Sequence, residues 1–262
     1  MAYPISATRL QLYKSCPQSY YFRYERGLKE QSAFGSPALG KAVHAALKDI
    51  YEQWNYAYPI PNLEWFSQCW QSHTVDLKPK QVDEGWQMLK QYFEQYVEPI
   101  PMMRKPLGVE RAIKGSFRVS CYEFVIRGQY DRLDYVDDGL ELIDYKTTKL
   151  VSPPDAVDIQ LGLYDLLLKQ TYQQALHKLS LIYLRTGEKV TYEVTPEHRQ
   201  ESKRLIEKLA VSLQREDEWR PQKGEQCDRC SYQRYCSVTA EVPEPLPETA
   251  RKPKGMQLLL PL

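Results

Sequence analysis

The sequence predicts an α/β fold in which a helical first part is followed by a run of strands and then by alternating helices and strands. In the first part, Leu39, Val43, Leu47 and Ile50 recur at helical spacing. After Pro106, short segments of alternating hydrophobicity are separated by turn residues, which predicts a β-meander. A chain of 262 residues can bury one sizeable core. We therefore expect a mixed central sheet flanked by helices, in one domain that carries a helical insertion and a tail.

The first two helices are predicted from their ends. Ser6 or Thr8 caps a helix that we expect to reach about Tyr24, because both side chains can accept hydrogen bonds from free amides of the first turn. A second helix follows the turn residues 35–37 and stops before Pro59. Residues between about 55 and 105 again have a helical pattern, which predicts an inserted helical layer.

The second half contains the predicted strands. We expect strands in four segments, namely residues 109–114, 117–121, 124–135 and 140–146. A helix follows at about 156–170, and then a hairpin of residues 179–184 and 190–194 that turns at Thr186 and Gly187. Thr195 and Pro196 are typical N-cap and first-turn residues of a last helix.

The composition indicates a soluble globular protein. Charged residues make up 26% of the chain and the formal net charge is +1, so a nucleic-acid surface would have to be a local basic patch. The first residues lack the apolar core of a signal peptide, and no apolar run approaches the roughly 18 residues of a membrane span. We expect a cytoplasmic protein.

Asp131, Asp144 and Lys146 form the main candidate site. A two-residue turn at Asp138 and Gly139 would set Lys146 opposite Asp131, whereas a turn at residues 137–138 would set Asp144 opposite Asp131. Either register keeps the three side chains on one face of the hairpin, and a three-residue loop without a bulge would separate them.

These residue types suit phosphodiester hydrolysis. The reaction needs a divalent cation to polarise the phosphoryl oxygen and to deliver a hydroxide, and hard cations bind convergent carboxylates. In the Asp144-x-Lys146 pattern both side chains project from the same side of a strand. The lysine can then orient the attacking water or stabilise charge that develops on the phosphate.

Five segments resemble, in the same order, motifs of the RecB-type branch of the PD-(D/E)xK nuclease superfamily. They are SATRLQLYKSCPQSYYFRY, LGKAVHAAL, GQYDRLD, IDYKT and QLGLY. The likeness covers most of the chain outside residues 55–105 and the tail. It implies a PD-(D/E)xK, restriction-endonuclease-like core and hydrolysis of DNA with Mg²⁺ or Mn²⁺.

The resemblance also implies roles for single residues. His44, Asp131 and Asp144 correspond to ligands of Mg²⁺ or Mn²⁺, assisted by the main-chain carbonyl of Tyr145, and Lys146 corresponds to the catalytic lysine. A lone histidine on a helix is more often structural, and the motif LGKAVHAAL favours the ligand role.

Two further residues match a Gln-x-x-x-Tyr element of the family that touches substrate or buttresses the site. Gln160 and Tyr164 stand at positions i and i+4 of the predicted helix and therefore share one face. Simple packing is the alternative for both. Glu110, in the strand before the meander, is a weaker candidate for the same site.

Four of the six cysteines have the spacing of metal ligands. Cys227, Cys230 and Cys236 are close in sequence, and Cys16 would close the first helix onto them as a fourth ligand. This pattern resembles the iron–sulfur subset of RecB-like exonucleases, which implies a 4Fe–4S cluster, with zinc as the alternative. Two other cysteines fit no ligand pattern, and we expect both to be buried: Cys69 and Cys121.

The last residues form a predicted tail. Prolines preclude regular structure from about residue 241 onward, so we assign residues 1–240 to the nuclease domain and residues 241–262 to a flexible tail. The stretch QLLLPL, residues 257–262 beginning at Gln257, resembles the peptide that binds the bacterial sliding clamp. Packing of this stretch onto its own domain is the alternative.

Three functional hypotheses follow. The first is a metal-dependent DNA nuclease, acting as an exonuclease on single-stranded DNA or DNA ends in repair, recombination or replication. The second is a non-catalytic nucleic-acid-binding or adaptor module, and the third is a zinc-stapled interaction protein. The presence of Asp131, Asp144 and Lys146 together favours the nuclease.

Overall fold

A mixed sheet of six strands forms the centre of the protein. The computed structural model describes residues 2–29, 37–136, 139–148, 154–248 and 250–251. The strands are β1 (Tyr3–Ile5), β2 (Gly108–Val119), β3 (Tyr122–Val136), β4 (Gly139–Lys146), β5 (Leu176–Tyr183) and β6 (Glu188–Glu193). They follow the order β1-β3-β4-β5-β6, with β2 paired to β3. The β1–β3 and β4–β5 pairs are parallel, and the other pairs are antiparallel.

Seven α-helices flank this sheet in the described part of the chain. They are α1 (Ala7–Ser15), α2 (Pro17–Tyr20), α3 (Pro37–Glu52), α4 (Leu63–Gln71), α5 (Pro79–Tyr96), α6 (Pro154–Tyr172) and α7 (Pro196–Gln214). Ser6 caps α1 and Thr195 caps α7, each accepting a hydrogen bond from an amide of the first turn, as predicted. None of the described helices has the length and apolar character needed to cross a membrane.

The sheet separates two hydrophobic cores. Leu142 and Leu181 project to the side covered by α1, α6 and α7. Ile143 and Ile182, one residue further along each strand, project to the side covered by α3, α4 and α5. This alternation is the two-residue period of a strand that is buried on both faces. The mixed sheet between helical layers confirms the predicted α/β fold.

The structure differs from the sequence prediction in several places. The strand β1 was missed, because it has three residues and contains Pro4. Residues 109–119 lie in one long strand instead of two, and the helix predicted to reach about Tyr24 is interrupted at Cys16. The region predicted as an inserted helical layer contains two helices, α4 and α5. The turn residues 137–138 lie outside the described residues, but the flanking pair Asp134 and Glu141 has the register expected for a turn there.

A largely buried arginine connects the sheet to the α3–α5 layer. The guanidinium of Arg132 on β3 donates hydrogen bonds to the hydroxyls of Tyr92 on α5 (2.9 Å) and Tyr145 on β4 (3.0 Å). It also forms an ion pair with Asp134 (2.8 Å) and lies 4.5 Å from the ring centroid of Tyr51 on α3. Its charge is therefore neutralised and hydrogen-bonded inside the protein, as a buried charge requires.

We expect the substitution Arg132→Met to lower the free energy of unfolding by about 3 kcal/mol, because it leaves the Asp134 carboxylate without its cation. Arg118→Met is the matched control, since Arg118 is exposed and its ion pair with Glu123 is long at 3.9 Å. Urea denaturation followed by circular dichroism measures both variants. An unchanged denaturation midpoint for Arg132→Met would show that the network does not stabilise the fold.

Candidate metal centre

Three side chains from three different elements converge at one edge of the sheet. His44 on α3, Glu110 on β2 and Asp131 on β3 each place one potential ligand atom within 4.8 Å of the other two. The Nδ1 atom of His44 lies 3.0 Å from Oε1 of Glu110 and 3.4 Å from Oδ1 of Asp131. No other group of three acidic, histidine or cysteine side chains in the described ranges is this compact.

The backbone at Glu110 is unusual. Its φ angle is +46°, a left-handed conformation that is rare for residues other than glycine, asparagine and aspartate. The residues on either side, Val109 and Arg111, pair normally with β3, so the distortion is confined to Glu110. Such local strain occurs preferentially at functional sites. Gln129 on β3 donates a hydrogen bond of 2.6 Å to Oε2 of Glu110.

Asp131 is held from the neighbouring strand. Its Oδ2 atom accepts a hydrogen bond of 2.7 Å from the backbone N–H of Tyr145, which leaves Oδ1 directed at His44. Burial is the largest influence on this carboxyl group and raises its pKa to about 6, although the hydrogen bond from His44 opposes the rise.

The charges of the site are coupled. Burial alone would lower the pKa of His44, but hydrogen bonds and electrostatic attraction from Asp131 and Glu110 outweigh it and raise that pKa to about 10. The imidazole therefore carries a proton to balance its acidic neighbours. A divalent cation bound among these groups would take over that balancing role, since metal ligands must be deprotonated.

Asp144 and Lys146 lie beside this group without belonging to it. The Lys146 ammonium forms an ion pair with Oδ2 of Asp144, an atom that is buried. The negative charge of Asp144 is close enough to raise the pKa of Asp131. The structure therefore brings His44 and Asp131 together as the sequence predicts and sets the Asp144–Lys146 pair next to them.

The helix α6 contributes Tyr164 to the surroundings of the centre. The buried Tyr164 hydroxyl donates a hydrogen bond to the main-chain carbonyl of Gln129, and burial raises its pKa. Gln160, one turn earlier, is half buried. Within the described part of the chain, no side-chain hydrogen bond of Gln160 is present. Tyr164 thus supports β3 beside Asp131.

The four predicted cysteine ligands line a single small cavity of about 20 Å³. Cys16 and Cys236 are buried, and Cys227 and Cys230 are partly exposed. Among the described residues, no three cysteine sulfurs lie within 4.8 Å of one another. Cys69 is buried as expected, but the prediction for Cys121 was wrong, because this residue is exposed in the turn that joins β2 to β3.

Two residues contribute more contacts to the site than the sequence indicated. Glu110 was a weak candidate, and Gln129 was not predicted at all. Gln129 stands two residues before Asp131, so the period of a strand already places the two side chains on the same side. For Glu110, no local pattern indicates the left-handed backbone.

Comparisons with known proteins support a nuclease fold. The family model of the PD-(D/E)XK nuclease superfamily matches residues 4–237. A search of curated proteins finds no match. Among solved structures, the crystal structure of SSO0001 is similar, with 15% sequence identity and a TM-score of 0.44, over 92% of this chain and 89% of that chain. A similarity this distant carries no functional argument.

We expect the chain to bind Mn²⁺. The substitutions Glu110→Ala and His44→Ala should each weaken that binding by about 10-fold to 100-fold or more. Loss of a supporting group alone costs this much at metal sites. Isothermal titration calorimetry measures the affinities. Glu123→Ala is the control, because Glu123 is an exposed acidic residue on β3. Wild-type affinity in the Glu110 and His44 variants would exclude this centre.

Proposed function

Because the chain belongs to the PD-(D/E)XK nuclease superfamily, we propose that it is a metal-dependent nuclease that hydrolyses DNA at the centre formed by His44, Glu110 and Asp131. The observation that carries this proposal is the convergence of those three side chains beside the Asp144–Lys146 pair. An acidic group of this kind with an adjacent ammonium has the charges that phosphodiester hydrolysis requires.

The donor set fits a divalent cation. We assign His44, Glu110, Asp131 and Asp144, with the carbonyl of Tyr145, as the groups that would hold Mg²⁺ or Mn²⁺. A bound cation would polarise the phosphate and lower the pKa of a water molecule. An imidazole nitrogen beside carboxylates favours Mn²⁺ over Mg²⁺, because Mg²⁺ prefers oxygen ligands.

Besides the cation, the side chain of Lys146 supplies a positive charge to the site. Its ammonium group, held by Asp144, is in place to orient the attacking water or to stabilise negative charge on the scissile phosphate. Tyr164 fixes the β3 backbone through Gln129, and Gln160 on the same face of α6 is free to contact the substrate. These roles agree with those that the family resemblance implies.

We further propose exonuclease action on single-stranded DNA or DNA ends, in repair, recombination or replication. The support is the RecB-type order of the five sequence motifs. A non-catalytic nucleic-acid-binding or adaptor module is the competing function. The presence of Asp131, Asp144 and Lys146 in one site disfavours it, because a module without turnover has no need of the catalytic lysine.

We expect the wild-type protein to degrade end-labelled single-stranded DNA in Mn²⁺, and we expect Asp144→Ala and Lys146→Ala each to lower the rate by about 100-fold or more. Lys90→Ala is the control, since Lys90 is partly exposed on α5 and forms an ion pair with Glu94. Gel electrophoresis of linear and circular substrates measures the products. Resistance of the circular substrate to cleavage indicates an exonuclease. Equal cleavage by all variants would exclude the proposed site.

We also propose that the four cysteines bind a 4Fe–4S cluster that joins the first helix to the C-terminal segment. The support is that all four cysteines line the same cavity, between the first helix and the C-terminal segment. In a tetrahedral zinc site with Zn–S bonds of about 2.3 Å, the sulfurs would lie roughly 3.8 Å apart. In the structure, no three of the described sulfurs lie within 4.8 Å of one another. A cluster that binds each thiolate at a separate iron accommodates that spacing better.

Anaerobically purified protein should be brown and absorb near 400 nm, as iron–sulfur thiolate centres do. Cys16→Ser should lose this absorbance and most of the iron, whereas Cys121→Ser should keep both because Cys121 lies outside the cavity. Absorption spectra with metal analysis measure these properties. A colourless wild-type preparation that contains stoichiometric zinc would show that the cysteines bind zinc instead of a 4Fe–4S cluster.

Recruitment by the bacterial sliding clamp is a proposal from sequence alone. Residues 257–262 lie outside the described residues, so the support is the motif QLLLPL and the proline-rich stretch before it. We expect the full chain, but not a chain that ends at residue 256, to be retained by immobilised clamp. Equal retention would favour packing of the tail on its own domain.

A further inference from the structure

The strand β3 has an open stretch along one edge. On the edge away from β2, β1 pairs with residues 124–126 and β4 pairs from Arg132 onward. Residues 127–131 therefore lie in a gap between the end of β1 and the end of β4. This gap opens into a cleft of about 410 Å³, which is adjacent to the metal centre because its lining includes Gln129.

The walls of the cleft are of two kinds. Leu163, Tyr164 and Leu167 of α6 provide an apolar side, and residues 6–8 at the start of α1 provide a polar side together with Arg127. A cleft with one apolar and one polar wall suits a nucleotide, whose base is a flat apolar surface and whose phosphate is charged.

A pair of basic residues stands at the far end of this stretch. Lys114 on β2 is directly opposite Arg127 on β3, and both side chains are exposed. Neither side chain forms a hydrogen bond or ion pair with another residue in the ranges that the structure describes. Like charges directly opposite each other destabilise a sheet, so an anion bound between them would relieve a cost that is otherwise uncompensated.

The basic pair is aligned with the metal centre. Along the β2–β3 ribbon, the Lys114–Arg127 pair is followed by the Ala112–Gln129 pair, and Gln129 donates a hydrogen bond to Glu110 of the metal centre. Four residues of strand between Arg127 and Asp131 correspond to about 13 Å. At roughly 3.4 Å per stacked nucleotide, single-stranded DNA spans that distance in about four nucleotides, and in fewer when it is unstacked.

We propose that Lys114 and Arg127 bind a backbone phosphate of single-stranded DNA a few nucleotides from the scissile phosphate, and that the cleft between β1 and β4 takes the intervening nucleotides. This inference rests on the proposed nuclease function. It deepens that function by giving the substrate strand a path from the metal centre along the uncovered stretch of β3.

Binding of a fluorescein-labelled oligo-dT in EDTA tests the path without cleavage. The double variant Lys114→Gln, Arg127→Gln should bind about fivefold to tenfold more weakly than wild type at 0.1 M salt. Its plot of log affinity against log salt should be less steep by about 0.7 for each phosphate that the protein no longer neutralises. Arg118→Gln, on the same ribbon beyond the cleft, should behave as wild type. Wild-type affinity and slope in the double variant would overturn the proposal.

Two further measurements separate this proposal from the nuclease function. In Mn²⁺, the double variant should have a raised KM with an unchanged kcat, because the metal centre is intact. If wild type cleaves no DNA, the nuclease function fails, while the binding comparison in EDTA still decides whether the basic pair contacts phosphate. Stronger binding of an oligo-U RNA than of oligo-dT would overturn the assignment of single-stranded DNA as the occupant.

Discussion

The hydrogen-bond network of the largely buried Arg132 is the interaction on which the geometry of the site depends. An arginine inside a protein must find hydrogen-bond acceptors, and this one takes them from Tyr92 on α5, Tyr145 on β4 and Asp134 on β3. Arg132 follows Asp131, and Tyr145 stands between two residues of the site. Because strand residues alternate between faces, the network that fixes Arg132 and Tyr145 on one face also fixes the carboxylates and the lysine on the other.

Charge balance gives the second constraint. Glu110 and Asp131 lie within hydrogen-bonding or ion-pairing distance of one imidazole, and the pKa of His44 rises to about 10 as a result. The pKa of Asp131 rises to about 6 through burial, so this carboxyl group is poorly compensated even with the imidazolium beside it. Asp144 adds a further negative charge, which Lys146 offsets. An acidic group arranged in this way favours a cation of higher charge than a proton.

The sequence predicted those parts of the site that depend on strand and helix periodicity. The alternation of side chains placed Asp131 near the Asp144–Lys146 pair, and helical spacing placed His44 at the border of the core. The choice between two turns of the hairpin was left open, because both keep the same faces. Glu110 could not be ranked from sequence, since its position depends on a left-handed backbone at one residue and on packing against α3. The exposure of Cys121 depends likewise on where β2 ends.

The cleft arises from where the strands stop. β1 has only three residues, because Pro4 weakens it and Ser6 then caps α1 and turns the chain away from the sheet. β4 pairs with β3 only as far as Arg132, and beyond that point the backbone N–H of Tyr145 bonds to the Asp131 side chain instead of to the β3 backbone. Two strand ends therefore leave one stretch of β3 uncovered. The same divergence that leaves the Asp131 side chain unpaired with the β4 backbone carbonyls also opens the adjoining cleft, so the candidate metal centre and the proposed substrate path have one structural origin.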